Sequence, residues 1–370
     1  MSRTYRIGVI AGDGVGPEVV REGLKVLRAT SRAFGFRCEL VEYPWSSQHY
    51  LDTGELMPET AIEEYRSLDA LYLGALGDPR VERGLIERSV LLNIRLTLDL
   101  YINLRPIVLY GEHLTPLKAV SPSDVDMIVV RENTEDAYAG VGGILKSGTP
   151  HEVAIAEMVY TRHGVERTVR YAFELARSRA KQRKVTLVDK SNAIKAQEIW
   201  RRTFSEVAAE YPEIQTDAIY VDAAAMYLVS DPGRFDVVVT TNLFGDILTD
   251  LGAVIQGGVG SAASGNIRPG AVSMFEPIHG SAPDIAGQNI ASPVGAIAAI
   301  AMMLDHLGED EAAHLIEATI RELVSSRRLP SLDARSGLST KQVGDLVANE
   351  VGNAAMKSAD APGVSYQDGL

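Results

Sequence analysis

The chain has 370 residues, 46% of them hydrophobic and 23% charged, a balance that excludes a disordered or collagen-like protein. Its 49 acidic residues outnumber the 36 basic ones, for a net charge of −13, so it has no surplus of cations for a phosphate backbone and nucleic acid is not an expected partner. The single cysteine, Cys38, excludes an internal disulfide and fits a reducing compartment.

Along the chain, residues 6–11 are apolar and β-branched and predict a strand. Gly12-Asp13-Gly14-Val15-Gly16-Pro17 reads as a turn into a helix, and Val20, Leu24 and Leu27 then recur at helical spacing. No charged-then-apolar leader stands ahead of the first strand, so the cytoplasm is the expected location. Short apolar runs at 70–73, 126–130, 184–188 and 235–240 predict buried strands, and amphipathic helices are predicted over 165–177 and 193–210. The longest apolar run, 294–304, is alanine-rich and too short to cross a bilayer, so no membrane partner is expected. Strand–helix alternation implies an α/β fold with largely parallel pairing. Residues 354–370 are poor in large apolar side chains and predict a loose tail.

The glycines at 12, 14 and 16 imitate a dinucleotide fingerprint, but that fingerprint needs its third glycine one place later, where Pro17 stands. A tight turn before a helix is the plainer reading, and a standard Rossmann fold is not expected.

Four constellations can carry chemistry. Arg88, Arg95 and Arg105 lie in RSVLLNIRLTLDLYINLRP, and Arg131 ends a strand in VVRENTEDAY. On a regular helix Arg88, Leu92 and Arg95 share a face, and converging guanidiniums suit a dicarboxylate; pairing with the abundant acids is the alternative for any one of them. In TTNLFGDILTDLGA, Asp246 and Asp250 lie one helical turn apart among apolar residues. Such carboxylates need a cation, a proton or an arginine; for a cation, hard oxygens favour Mg²⁺ or Mn²⁺, with Asp222 as a third candidate ligand, and a solvated helix surface is the alternative. Lys190 follows a buried strand, where α/β folds bind ligands, and is a candidate general base, with Tyr138 a candidate acid; an ordinary loop lysine fits the spacing as well. In EPIHGSAPDIAG, small residues permit close backbone approach, and Asp284 suits both ribose hydroxyls of NAD while repelling a 2′-phosphate; a structural loop is the alternative.

Taken in order, AGDGVGPEVV, NLRP, VVRENTEDAY, TTNLFGDILTDL and EPIHGSAPDIAG resemble the β-decarboxylating dehydrogenases, which act on isocitrate, isopropylmalate, homoisocitrate and tartrate or D-malate. The resemblance implies a two-domain α/β fold with the active site in the cleft between domains. Residues 1–100 and 253–353 would form a discontinuous cofactor domain, and 101–252 the central substrate and dimerisation domain. It also implies a homodimer with shared active sites. Arg95, Arg105 and Arg131 would clamp the malate carboxylates. Asp246 and Asp250 would hold Mg²⁺ or Mn²⁺ together with Asp222 of a second subunit. Lys190, also from that subunit, would be the base and Tyr138 the acid. His279, Gly280, Ser281, Ala282, Asp284, Ile285 and Ser292 would hold NAD.

Family members differ in the group on C3 of malate. Leu91 and Leu92, ahead of the first clamp arginine, resemble the isopropylmalate branch, and an apolar pair leaves a third carboxylate unpaired. The implied reaction is NAD-dependent oxidative decarboxylation of 3-isopropylmalate, a step of leucine biosynthesis. Ala193 stands where that branch usually has valine, Arg88 where many members have glutamate, and Ser292 where asparagine is common. KSNA resembles the tartrate/D-malate branch, so a D-malate, tartrate or other 3-substituted malate substrate is the alternative. A non-catalytic regulatory subunit is the alternative of another class; such subunits typically lose a base, an acid or a metal ligand, and here all are present.

Overall fold

The computed structural model describes residues 3–333 and 336–359, with side chains through 354. The chain opens with β1 (Thr4–Gly12), α1 (Gly16–Phe34), β2 (Arg37–Tyr43), α2 (Ser47–Thr53), α3 (Glu59–Tyr65) and β3 (Ala70–Ala75). A π-helical turn, Glu87–Leu92, runs into α4 (Asn93–Thr97). Next come β4 (Ile102–Val108), β5 (Asp126–Glu132), a hairpin of β6 (Gly142–Leu145) and β7 (Val153–Ala156), α5 (Arg162–Arg179) and β8 (Lys184–Asp189). Then follow α6 (Glu198–Ala208), β9 (Gln215–Tyr220), α7 (Val221–Ser230), β10 (Val237–Thr240) and α8 (Asn242–Gln256). The chain ends with β11 (Ala263–Ile267), β12 (Ser273–Pro277), α9 (Val294–His306), α10 (Asp310–Ser325) and α11 (Thr340–Ala359).

Among the described residues, ten strands form one sheet in the order β2-β1-β3-β12-β11-β4-β5-β10-β8-β9. Its two wings are parallel, as alternation with helices requires. The middle is not: β11 runs antiparallel to β12 and β4, and β4 antiparallel to β5. The order is not that of a dinucleotide fold. Every residue of β3 is buried, as expected of an inner strand covered on both faces.

The glycine turn is a joint between segments. Gly14 has φ +56°, and a Cβ there would lie 1.9 Å from the Ser281 carbonyl oxygen, so only glycine fits. The Ser281 carbonyl accepts the Val15 N–H at 2.8 Å. Pro17 opens α1, and Gly35 closes it in the left-handed region. The 294–304 run is α9, a core helix whose Ile297 and Ile300 are fully buried, each worth roughly 1.5–3 kcal/mol. Among the described residues no helix is long and apolar enough to cross a membrane.

Four expectations need correction. The strand expected from 235 begins at Val237, because buried Asp236 instead takes Arg179 Nε at 3.1 Å and the Gln182 N–H at 3.0 Å. The helix expected over 193–210 begins at Glu198; residues before it form a turn closed by the Lys190 carbonyl, which accepts the Ala193 and Ile194 N–H groups. Arg88 and Arg95 do not share a face, because the π-turn inserts an extra residue between them. The expected tail is partly helix, since α11 runs to Ala359; residues 360–370 lie outside the described residues.

Candidate active site

The antiparallel middle of the sheet builds the site. Asn103 on β4 lies opposite Arg131 on β5, which brings the Arg105 and Arg131 strands side by side. α8 lies across them, and Gly245 permits the approach: a Cβ there would lie 2.5 Å from Arg131 Cγ. The first two turns of α8 then supply the partners. Arg131 Nε donates to Asn242 Oδ1 at 2.9 Å and its Nη1 to Asp246 Oδ1 at 2.5 Å. Arg105 Nη1 donates to Thr249 Oγ1 at 2.7 Å, its Nε to Asn103 Oδ1 at 2.7 Å, and its Nη2 to Asp246 Oδ1 at 3.4 Å. Tyr138 donates its hydroxyl proton to Asp246 Oδ2 at 2.6 Å. Asp250, a turn further along, lies 3.7 Å from Arg105 Nη1.

Arg95 enters from α4 and meets Glu276 Oε1 at 2.8 Å, a pair that is nearly closed to solvent. Its Nε is buried without a partner. Beneath it runs an amide relay. Asn103 and Asn133 both donate to Asn266 Oδ1, at 2.9 and 3.0 Å, and Asn266 Nδ2 donates to Glu276 Oε1 at 2.8 Å.

A cavity of about 400 Å³ gathers these groups. Leu91, Leu92, Arg95, Arg105, Arg131, Tyr138, Asp246, His279 and Gly280, all expected from the sequence, line it. Arg88 does not; it is exposed and pairs with Glu82 at 3.3 Å. Lys190 and Asp222 lie outside the lining and pair with each other at 2.6 Å. Ser281 and Gly280 line an adjoining cleft. Asp284 is exposed, with no side-chain ion pair among the described residues. Ala282 and Ile285 belong to the same turn, where the Ala282 carbonyl accepts the Ile285 N–H at 3.1 Å. Ser292 Oγ accepts the Val294 N–H at 3.4 Å, beside the start of α9. Sequence reasoning assigned no role to Glu276, Asn242 or Thr249; the last two sit four residues before and three after Asp246, a helical spacing that could have flagged them.

The electrostatics follow from this crowding. Burial pushes the Asp246 carboxyl up, but Arg131, the Tyr138 hydroxyl and Arg105 outweigh it and hold the group below the ordinary carboxylate range. Burial, opposed by Arg105 and aided by Asp246, lifts Asp250. Burial and the bond to Asp246 raise the Tyr138 phenol, which keeps it protonated and able to donate. Burial lowers Arg131, with Arg105 adding repulsion. The Lys190 ammonium lowers the Asp222 carboxyl.

Asp246 and Asp250 offer hard oxygens one turn apart, and a cation between them would offset the burial, and the lesser repulsion from Asp246, that lift Asp250; this donor set fits Mg²⁺ or Mn²⁺. Among the described residues no three His, Cys, Asp or Glu side chains of one chain form a metal-holding group. Buried His279 Nε2 has no partner, and with the free Asp284 carboxylate it leaves two polar groups for a dinucleotide.

A cleft lined by arginines and carboxylates on this mixed sheet defines a class, and the family described as isocitrate/isopropylmalate dehydrogenase matches residues 6–347. The chain belongs to that family, and with it to the β-decarboxylating dehydrogenases. Among its relatives, the 3-isopropylmalate dehydrogenase of Thermobifida fusca is 51% identical over 95% of this chain and 98% of its own. That of Frankia casuarinae is 53% identical over 87% of this chain and 93% of its own. Isocitrate dehydrogenase from Methylococcus capsulatus has a solved structure matching with a TM-score of 0.83 at 38% identity, over 94% of this chain and 99% of that one.

Proposed function

We propose that the chain is a cytoplasmic, homodimeric 3-isopropylmalate dehydrogenase of leucine biosynthesis, dependent on NAD and on Mg²⁺ or Mn²⁺. One observation carries the reading: a cavity holding Arg95, Arg105 and Arg131, with Arg95 Nε buried and unsatisfied, is walled by Leu91 and Leu92. The guanidiniums suit two carboxylates. The leucines suit an alkyl group and offer nothing to a third carboxylate, which disfavours isocitrate.

In this reading the arginines orient the malate unit, and Asp246 and Asp250 hold the metal. The chemistry those groups would supply when bound is acceptance of the C2 hydride by NAD and polarisation of the C2 oxygen by the cation, which would ease loss of CO₂ from C3. Lys190 accepts the C2 hydroxyl proton. Tyr138, held by Asp246, delivers a proton to C3 once CO₂ has left, and its fixed bond sets the face of delivery. Asp284 and His279 hold the adenosine half of NAD.

Lys190 and Asp222 would serve the cleft of a second copy. Supporting this, they lie outside the cleft lining of their own chain. Exposed apolar residues on α7, which carries Asp222, and on α8 packed against it, Met226, Val229, Ile247 and Val254, offer a face to cover, as do Ile144 and Ile155 on the hairpin. The division at about residues 100 and 252 would make the antiparallel β11–β4 pairing the join between cofactor and substrate domains.

The test is NADH formation with Mn²⁺, comparing 3-isopropylmalate, D-malate, tartrate, isocitrate and homoisocitrate, each with an EDTA control. A kcat/KM for isopropylmalate at least roughly a hundredfold above the others is expected. Preference for D-malate or tartrate would mean that small Ala193, next to Lys190, outweighs the leucine wall.

A further inference from the structure

A run of hydrogen bonds through the interior joins the backbone of Lys190 to the segment that carries Tyr138. The Lys190 N–H donates to Gln197 Oε1 at 2.6 Å, and Gln197 Nε2 donates to the Tyr160 hydroxyl oxygen at 2.8 Å. Tyr160 in turn donates its hydroxyl proton to Asp136 Oδ1 at 2.8 Å. Asp136 Oδ2 accepts the Leu243 N–H, in the first turn of α8, at 2.9 Å. Gln197 is fully buried and Asp136 nearly so, so loss of one link leaves a buried polar atom unpaired. Burial raises the Tyr160 phenol, which therefore keeps the proton it donates.

Both ends of the run are held firmly. Asp136 has φ +66° and ψ −150°, a conformation that glycine adopts and other residues rarely do. It has no ion pair among the described residues. The Tyr160 hydroxyl and the N-terminal end of α8 carry its charge instead. Residues 135–138 are tied to α8 at three points. The Glu135 carbonyl accepts Asn242 Nδ2 at 3.1 Å, Asp136 accepts Leu243, and Tyr138 donates to Asp246. At the other end the Lys190 N–H is held by Gln197 and its carbonyl by the Ala193 and Ile194 N–H groups, while its ammonium reaches out to exposed Asp222.

We propose that Gln197, Tyr160 and Asp136 form a positioning relay that aims Lys190 and Tyr138 together. The proposal rests on the functional reading above, in which Tyr138 serves the chain's own cleft and Lys190 that of a second copy. One buried relay then ties the acid of one cleft to the base of the other. Gln197, Tyr160 and Asp136 do not line the cavity, so they act on the geometry of proton transfer and leave the grip on the dicarboxylate to the arginines.

Tyr160→Phe removes the central hydroxyl and keeps the ring. Amide exchange of the full chain without substrate reads the relay itself. The Lys190 and Leu243 N–H groups should exchange several-fold faster in the variant, and unchanged exchange at Lys190 overturns the relay whatever reaction the chain performs. Turnover reads the positioning. A native chain inactive on every substrate compared above overturns the functional reading, and the exchange result still decides the relay. With native activity present, Tyr160→Phe should lower kcat by roughly 10–100-fold and leave KM for dicarboxylate and NAD within roughly twofold. A merely structural role would lower the unfolding midpoint without that split. A purified heterodimer of one native and one Tyr160→Phe protomer should run well below half the native kcat, because each cleft receives one loosened group. Gln197→Met frees the Lys190 end but keeps the Tyr160–Asp136 bond, so its heterodimer should run near half. Half-native turnover in the Tyr160→Phe heterodimer overturns the proposal, since the relay would then serve one cleft alone. So does native kcat in either variant homodimer.

Discussion

Arg131 meets Asp246 at 2.5 Å and Lys190 meets Asp222 at 2.6 Å, yet the two pairs are physically unlike. The Arg131 side chain is 2% exposed and sits under α8, whereas that of Asp222 is 65% exposed on the outside of α7. In the crowded cleft the guanidiniums have lost most of their water and depend on their neighbours, so removing a partner strands them. At the surface, water replaces either partner at little cost. The first cluster is therefore a structural commitment as well as a candidate binding site. The second is free to exchange partners, as the proposed base for a second copy would need to be.

The sharpest test of this contrast is Lys190→Met. Turnover should fall by about 10²–10⁴-fold while the midpoint of thermal unfolding stays unchanged. Retained kcat would remove Lys190 as the base, and a lowered midpoint would show that the exposed pair is structural after all. Mixing Lys190→Met with Asp246→Asn subunits sharpens the point. If Lys190 serves the partner's cleft, heterodimers regain one intact site; if it serves its own, mixing restores nothing.

Arg131→Met should behave in the opposite way and damage both properties. Loss of about 2–3 kcal/mol in urea unfolding is expected, below the usual cost of breaking a buried pair because Asp246 is 35% exposed and keeps Arg105 and Tyr138. Binding of the dicarboxylate should weaken alongside.

Glu132 extends the comparison to pH. It follows Arg131 on β5, and burial pushes its carboxyl up to about 7 despite the N–H groups of Thr134 and Glu135 and the Thr134 hydroxyl. A group raised in the folded state supports stability fully below its unfolded value, near 4.5, and loses that contribution as pH rises through about 7. The native chain should therefore lose on the order of 2 kcal/mol relative to Glu132→Gln between pH 4.5 and 8, read from paired urea titrations. Parallel curves would mean that the carboxylate is ionised throughout.

The smallest effect expected is at the coenzyme loop. Asp284→Lys with Ile285→Tyr should move the NAD/NADP ratio of kcat/KM toward NADP by roughly tenfold, since exposed Asp284 and half-buried Ile285 beside it are placed to contact a ribose or its phosphate. An unchanged ratio would place the adenosine ribose elsewhere.

Much of this site was legible in the chain because its residues come in short patterns. Asp246 and Asp250 share a helix face at a spacing of four, and Arg131 ends an apolar run, so local periodicity alone places them. Two local patterns misled. The spacing of Arg88 and Arg95 assumes a regular helix, and the π-turn over Glu87–Leu92 turns Arg88 outward. The pattern over 193–210 is helical throughout, but Gln197 Oε1 accepts the Lys190 N–H at 2.6 Å and holds the first residues in a turn. The Arg95–Glu276 pair and the Asn103–Asn266 bond join residues 181 and 163 positions apart, and no periodicity reports such contacts.

The amino-acid order by itself determined the strand–helix alternation, the failure of the glycine fingerprint and the residue types available for chemistry, because each depends on neighbours within a turn or two of chain. Only the tertiary structure decided that the sheet reverses direction at β11 and β4, that Arg95, Arg105 and Arg131 converge there, and that Lys190 lies outside their cavity, paired with Asp222. Those outcomes depend on which distant strands lie side by side, and that is set by the burial of whole faces against one another.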